Sequence, residues 1–283
     1  MSILVTGATG TVGGSLVRQL VQAGQAVRAI TRNPGSTAAA ALPKEVEVVR
    51  GDYSRPESLV PTFAGVERMF LVSVEEAAEP AVTAQILGLA GKAGVRRVVH
   101  LGHDDESRDD DDPYATGRGV KRAVENSGLE WTHFFPGEFM ANTYEWAASI
   151  QAEGVVRAPF GDWTSNMIHE ADIAAMAMAA LLEEGHMGRT YRPVGPLPVR
   201  RRDAVRMIGE ALGRDVRFLE LTPDGARAQW TEMGYPPEVI EWFLELGKNQ
   251  DMSGGNVHEI EEVTGRKGRT FAEWVVDHAD GFR

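Results

Sequence analysis

The sequence predicts an α/β fold: a doubly wound, mostly parallel Rossmann sheet with a smaller C-terminal α/β substrate lobe. Three observations carry that expectation. Apolar strand-like runs alternate with helical segments through the first hundred or so residues. A glycine-rich turn, G-A-T-G-T-V-G over residues 7–13, lies between the first such run and the first helix. Past about residue 150 the strands become short and are separated by helices. The expected division is 1–150 as the Rossmann domain and 151–283 as a smaller substrate-binding lobe, with some chain crossing back.

Ile3, Leu4 and Val5 form the first strand. The following helix carries Val12, Leu16, Val17 and Leu20 at helical spacing. The glycines between them run G-x-x-G-x-x-G rather than the commoner G-x-G-x-x-G, and each has its own task. Gly7 permits the tight turn, Gly10 lets the backbone approach a pyrophosphate, and Gly13 lets the helix pack closely on the strand. The free N–H groups at the helix start are then aimed at an anion. The alternative is a plain turn, but three glycines at period three exceed what a turn needs.

Ala26–Thr31 reads as the second strand, and Arg32-Asn33-Pro34-Gly35 as the loop at its end. In a Rossmann fold an acid at this tip binds the ribose hydroxyls of NAD, whereas an arginine accommodates the 2′-phosphate of NADP. Arg32 therefore points to NADP. The first acid in the chain is Glu45, so none close in sequence repels a phosphate. A solvated loop arginine is the alternative.

Glu45–Gly51 is the third strand, with Asp52 and Tyr53 at its tip, and Pro56–Leu59 looks like a helix start. Val66–Ser73, helix Glu79–Ala93 and Arg96–Leu101 continue the alternation. Right-handed crossovers place Gly7, Arg32, Asp52 and Ser73 at one carboxyl edge, where ligands bind. His103–Tyr114 is dominated by aspartates. A metal site of His103 with Asp104, Asp105 and Asp109–Asp112 is one reading, and a solvated loop at the site mouth the other. Adjacent aspartates lack the fixed inward spacing of metal loops, so no metal is expected.

Arg118–Ser127 is helical, Glu130–Phe135 is the sixth strand, and Pro136-Gly137-Glu138-Phe139 turns the chain. Val155–Ala158, Thr190–Pro193 and Val216–Leu221 are short strands of the second half. The nearly apolar helix Ala171–Leu182 is expected to be buried on most sides. Glu238–Leu246 and Phe271–His278 are further helices, and 249–256 a polar loop. Arg200, Arg201 and Arg202 precede a helix running through Arg206 to Leu212, and read as a solvated patch. Trp146, Phe160, Trp163, Trp230, Tyr235, Trp242 and Phe243 are mostly core, with some available to line a flat apolar pocket. His169 reads as a buried histidine bonded to backbone.

Bulk properties narrow the function. A net charge of −12 argues against a nucleic-acid surface. With no cysteine, thiolate nucleophiles and disulfides are excluded. No apolar run approaches a membrane span, and Met1-Ser2 leads straight into the first strand, so a cytoplasmic protein without a signal peptide is expected. The oligomeric state is open between monomer and homodimer.

Several motifs taken in order resemble the NmrA-like, atypical branch of the short-chain dehydrogenase/reductases. They are G-A-T-G-T-V-G, T-R-N-P (31–34), G-D-Y (51–53), L-V-S (71–73), S-G-L-E-W-T (127–132), P-G-E-F-M-A-N (136–142), H-E-A-D-I-A (169–174) and T-F-A-E-W (270–274). The resemblance implies that Gly7, Thr9, Gly10, Thr11, Val12 and Gly13 hold the pyrophosphate and Arg32 the 2′-phosphate. It places Asp52 and Tyr53 by the adenine, Val72 and Ser73 along the nicotinamide ribose, and Pro136 and Gly137 beside the nicotinamide. Family members divide into NADPH-dependent reductases of quinones, enones and related aromatics, and non-catalytic redox sensors acting on a protein partner.

The catalytic equipment departs from the wider superfamily, which uses a serine after the fifth strand and a Tyr-x-x-x-Lys pair. Here Gly102 and His103 follow Leu101, Tyr114 has Arg118 four residues on, and Lys121 lies seven away. Arg118 supplies charge but does not exchange protons as lysine does. Phe135 stands where relatives carry arginine. Tyr114 or His103 is the candidate proton donor, each set against a packing or solvated role. The leading expectation is an NADPH-dependent oxidoreductase passing hydride to a small apolar carbonyl, quinone or enone. The alternatives are an NADP(H)-binding sensor without turnover, and a cyclase, epimerase or dehydratase on the same scaffold.

Overall fold

The computed structural model describes residues 2–73, 79–103 and 116–283. In chain order its elements begin with β1 (Ser2–Val5), α1 (Thr11–Gln22), β2 (Ala26–Thr31), α2 (Thr37–Ala40), β3 (Glu47–Arg50), β4 (Val66–Val72), α3 (Pro80–Lys92), β5 (Arg97–Leu101), α4 (Thr116–Glu125) and β6 (Glu130–Phe134). There follow α5 (Ala147–Glu153), β7 (Val155–Ala158), β8 (Thr164–Ser165), α6 (Glu170–Leu182), β9 (Arg189–Tyr191), β10 (Val199–Arg200) and α7 (Arg201–Leu212). The chain closes with β11 (Arg217–Glu220), α8 (Pro223–Glu232), α9 (Pro237–Leu246), β12 (Asp251–Met252), α10 (Glu259–Thr264) and α11 (Phe271–His278). The expected helix at Pro56 is a 3-10 helix, Pro56–Phe63, with Pro61 inside it.

Two compact units are formed. The first takes Met1–Pro136, Glu170–Pro193 and Glu259–Arg266; the second takes Gly137–His169, Val194–His258 and Lys267–Arg283. The first unit holds a seven-stranded sheet in the order β3-β2-β1-β4-β5-β6-β9, and every pairing in it is parallel. This is the doubly wound Rossmann order with one strand added. The added strand is β9, expected from sequence as part of the second half. Three residues are too few to show which sheet a strand joins; its pairing of Thr190 with His133 decides it.

Alternation along the strands sorts the side chains between two layers. Leu4, Met69, Leu71 and Val98 face one side, where Ile86, Leu87, Val120 and Val124 of α3 and α4 complete the core. Gly119 makes that packing close, since a Cβ there would lie 2.4 Å from Pro80 Cγ. The other face is covered by α1 and α6. Helix α6 is buried nearly all round, as its composition predicts, because it packs on α1, the sheet and α10. Arg97, buried at the start of β5, donates to Glu130 Oε2 at 2.8 Å and to the Glu183 carbonyl at 2.7 Å just past the end of α6. A cation at that helix end also complements its dipole.

The second unit has small sheets, β10-β8-β12 and β11-β7, around a core centred on Trp274, Phe271, Phe282, Trp146 and Ile150. Its last long helix, α11, starts with a capping box between Thr270 and Glu273. Among the described residues no helix is long and apolar enough to cross a membrane.

Candidate cofactor edge

The loop after β1 is built around backbone. Gly7 has φ +59°, a left-handed conformation glycine adopts without strain, and its carbonyl accepts from the Gly10 N–H at 2.9 Å. A Cβ on Gly13 would stand 2.1 Å from the Gly7 oxygen. Gly13 thus packs α1 against the turn itself, rather than against the strand as expected. Gly10 is the extended N-cap of α1 and offers no side-chain cap, and the first turn holds no acid. The N–H groups there have no intrahelical partner. Thr9, Gly10 and Thr11 are exposed, whereas Val12 is buried, so Val12 can give a ligand its N–H but not its side chain. A bare N-terminus beside a turn that only glycine can fill fits a dinucleotide pyrophosphate.

Arg32 is exposed at the tip of β2. Parallel pairing of β2 with β3 brings Asp52 near it at the shared carboxyl edge. An acid therefore does stand close to Arg32. Its carboxylate is occupied: Ser54 donates its hydroxyl at 2.7 Å and its N–H at 3.0 Å, and Arg55 lies 3.7 Å away. The Ser54 hydroxyl, then the Ser54 N–H, hold the Asp52 carboxyl below its usual range, with Arg55 and Arg32 adding positive charge. Tyr53 turns its hydroxyl inward beside Thr6, where burial pushes the phenol up. Only its ring is left to offer a base.

Thr6 joins these strands. Its hydroxyl oxygen accepts from the Val72 N–H at 2.9 Å, and a Cβ on Gly7 would meet Val72 Cγ2 at 3.2 Å. Gly7, Tyr53, Val72 and Ser73 are thereby gathered around one buried threonine. The Ser73 N–H donates to the Leu101 carbonyl at 3.0 Å, and its hydroxyl lies 2.5 Å from His100 Nε2.

At the β5–β6 end, Gly102 N–H donates to the Phe134 carbonyl at 3.1 Å, and Phe135 N–H to the Tyr191 carbonyl at 2.9 Å. Phe135 is buried and its ring stacks on His133 at 5.3 Å. The guanidinium of Arg192 lies 6.0 Å from the same ring, so a cation reaches this corner from β9 although position 135 itself is apolar. His103 is exposed directly after Gly102, and Arg118 is half-buried on α4. Tyr114 and the aspartates 104, 105 and 109–112 lie outside the described residues. Pro136 ends the first stretch of the first unit, and Gly137 opens the second unit.

His100 and His133 were not singled out by the sequence reading. The available signal was a histidine inside each of two apolar strands, V-V-H-L and W-T-H-F; only register shows that they face each other. The second unit also departs from expectation. Arg201 is inside α7 and donates to the Pro159 carbonyl at 2.6 Å, while Arg200 and Arg202 pair with Asp203 and Asp162. Glu138 accepts from Trp163 Nε1 at 3.2 Å and Ser165 Oγ at 2.6 Å. Of the aromatic set only Trp146 is fully buried; Trp230, Tyr235 and Trp242 gather around Phe243, with Tyr235 and Trp242 exposed. His169 is buried, its ring edge-on to His278 at 5.6 Å.

Comparison with known proteins gives a consistent neighbourhood. The sequence model of the NmrA-like family matches residues 1–275. The (4-alkanoyl-5-oxo-2,5-dihydrofuran-3-yl)methyl phosphate reductase of Streptomyces griseus is 37% identical, over 99% of both chains. The NAD(P)H azoreductase of Xenophilus azovorans is 31% identical, again over 99% of both. Among solved structures, the Citrobacter triphenylmethane reductase in complex with NADP(H) aligns with TM-score 0.76 at 23% identity, covering 99% of this chain and 100% of that one.

Proposed function

The chain belongs to the NmrA-like family, and from that premise we propose that it is an NADPH-dependent reductase of small, electron-poor substrates: carbonyls, quinones or enones. The observation that carries this reading is the empty-handed N-terminus of α1 set against the Gly7–Gly13 turn, with Arg32 one strand away at the same sheet edge. Full-length relatives that are themselves reductases of a furanone phosphate and of azo compounds support it.

The backbone of Gly7, Thr9, Gly10, Thr11, Val12 and Gly13 would hold the pyrophosphate through N–H groups and the α1 dipole. Arg32 would pair with the 2′-phosphate. Asp52 and the Tyr53 ring would flank the adenine, and Val72 with Ser73 the nicotinamide ribose. Pro136 and Gly137 would lie beside the nicotinamide. When bound, NADPH would supply the hydride, and the protein would orient it. His103, exposed after Gly102, and Arg118 would stand near the acceptor, and Tyr114 is a further candidate from the sequence alone. An electron-poor acceptor can take its proton from a weaker acid than a Tyr-x-x-x-Lys pair supplies, so the loss of that pair does not remove the activity.

The test is NADPH oxidation, followed by absorbance, with a panel of quinones, enones, azo dyes and aromatic ketones. Turnover with at least one acceptor is expected. Tight NADPH binding with no turnover on any acceptor would overturn the reductase reading in favour of a cofactor sensor.

A further inference from the structure

A line of polar side chains, buried at its middle, runs from the cofactor edge across β5 and β6 toward α4. Ser73 Oγ lies 2.5 Å from His100 Nε2, and His100 Nδ1 lies 2.9 Å from His133 Nδ1. His133 Nε2 faces Glu125 Oε1 at 3.8 Å. His100 and His133 are register partners, so both rings leave the same face of the sheet. They are 1% and 0% exposed, whereas the Glu125 side chain is 33% exposed and meets solvent.

The ring of His100 occupies this place because residue 102 is glycine. A Cβ there would stand 2.7 Å from His100 Cε1 and 2.9 Å from Nε2. Trp131 and Phe135 flank His133 at 4.8 and 5.3 Å and keep water from the middle of the line. Two imidazoles that meet through their Nδ1 atoms hold one proton between them, because one ring must donate and the other accept. The line therefore has a direction. Either every N–H and O–H points toward Glu125, or every one points toward the cofactor edge. Changing from one setting to the other passes one proton along it without leaving a charge on either ring. Burial, then the neighbouring His133 and His103, hold the His100 pKa at about 3, so its resting form is the uncharged ring such a line needs.

We propose that Ser73, His100 and His133 form a proton wire that carries a proton from the solvent-facing side of Glu125 to the reduced substrate at the cofactor edge. This rests on the reductase reading above. Reduction of the acceptor takes a hydride from the nicotinamide cofactor and one proton from the wire. Ser73 gives its hydroxyl proton to the acceptor oxygen and regains one from His100 Nε2. His100 Nδ1 takes the proton of His133 Nδ1, and His133 Nε2 takes up one delivered from solvent by way of Glu125. One proton enters from solvent for each that leaves on the product. Ser73 is then the catalytic residue; His100 and His133 are positioning residues that act through it.

The test uses the full chain with NADPH and an accepting quinone. His133→Phe keeps a ring between Trp131 and Phe135 but cannot pass a proton. It is expected to lower kcat by roughly 10²-fold, the usual worth of a positioned proton donor, with the NADPH dissociation constant unchanged. In wild type the solvent deuterium effect on kcat should give a curved proton inventory, reporting several protons in motion, and in His133→Phe a linear one. Nitrogen NMR of the histidine-labelled chain reads the connection without turnover. One proton shared between the two Nδ1 atoms is expected, with the His100 Nε2 signal moving in Ser73→Ala. A folded His133→Phe retaining more than half of wild-type kcat overturns the proposal. So do Nδ1 atoms that share no proton, whether or not the variant folds. Absence of turnover in wild type itself, with the shared proton present, overturns instead the reductase reading and the delivery step that rests on it.

Discussion

The β1 end and the β5–β6 end of one sheet present their chemistry by opposite means. At β1 the polar groups on offer are the backbone N–H groups of an uncapped helix start, and the turn is shaped by side chains that are missing: Gly7, Gly10 and Gly13. At β5–β6 the polar groups are side chains, Ser73, His100 and His133, drawn from three strands and held by register. A site made of backbone is written in consecutive residues and tolerates no added atom. A site made of side chains is written in strand pairing and tolerates substitution one residue at a time. Substitutions at each end test that contrast.

Gly13→Val carries the largest expected effect. Its Cβ would stand 2.1 Å from the Gly7 carbonyl oxygen and 2.7 Å from its carbon, and neither atom can move without unmaking the turn. We expect a stability loss of about 3 kcal/mol and an NADPH dissociation constant raised by roughly 100-fold or more. Urea unfolding and cofactor titration measure both. A variant that melts and binds like wild type would mean that the turn is not the rigid cradle assigned to it.

The same contrast explains what was legible in the sequence. The strands β2 and β7 and the helix α11 fall on the residues their patterns predict, and the parallel order follows from strand–helix alternation. The glycine turn was readable because its logic is local. His100 and His133 were not, because a histidine in an apolar strand looks the same whether it is a packed ring or half of a pair. Asp52 shares a carboxyl edge with Arg32, as the alternation predicts; that this sets an acid near Arg32 is what a count of acids along the chain does not show. Arg201 read as solvated because a helix starting at Arg201 rather than nearer Arg206 turns it inward toward the Pro159 carbonyl. Strand β9 was too short to show its sheet.

At the side-chain end, Gly102→Ser restores the residue type that the wider superfamily carries. Here it should do harm: the new Cβ displaces the His100 ring and parts it from Ser73. A stability loss of about 1–2 kcal/mol is expected, because a ring rather than backbone must yield. The fall in kcat should approach that of His133→Phe. If Gly102→Ser instead matches or exceeds wild-type turnover, a hydroxyl at position 102 is what the chemistry needs and the His100 ring is packing.

Acid stability probes that end further. The His100 pKa is about 6.5 unfolded and about 3 folded, so the folded chain binds fewer protons between those values. The stabilisation is whole above pH 6.5 and is lost as pH falls toward 3. From pH 7 to pH 5 this one group should cost about 2 kcal/mol, with His133, His103 and Glu125 setting the surrounding charge. His100→Phe should flatten that part of the pH–stability curve. An unchanged acid slope would mean that His100 is protonated in the folded state, and the uncharged line would fail with it.

Arg32→Ala is the mildest change, because its guanidinium is exposed and its worth is screened by solvent. The side chain nonetheless separates the two ends in one measurement. If the 2′-phosphate sits on Arg32, the variant should bind NADPH roughly tenfold more weakly, about 1.4 kcal/mol, and bind NADH as before. The Asp52 carboxylate near it does not oppose that assignment, since Ser54 and Arg55 already occupy it. Turnover at saturating cofactor should stay unchanged, because nothing at this tip touches Ser73 or the histidines behind it. Equal weakening for both cofactors would show that Arg32 supports the loop rather than reading the phosphate. The cofactor preference would then have to come from elsewhere on the β2–β3 edge, where Arg50, the register partner of Thr31, is the next cation along.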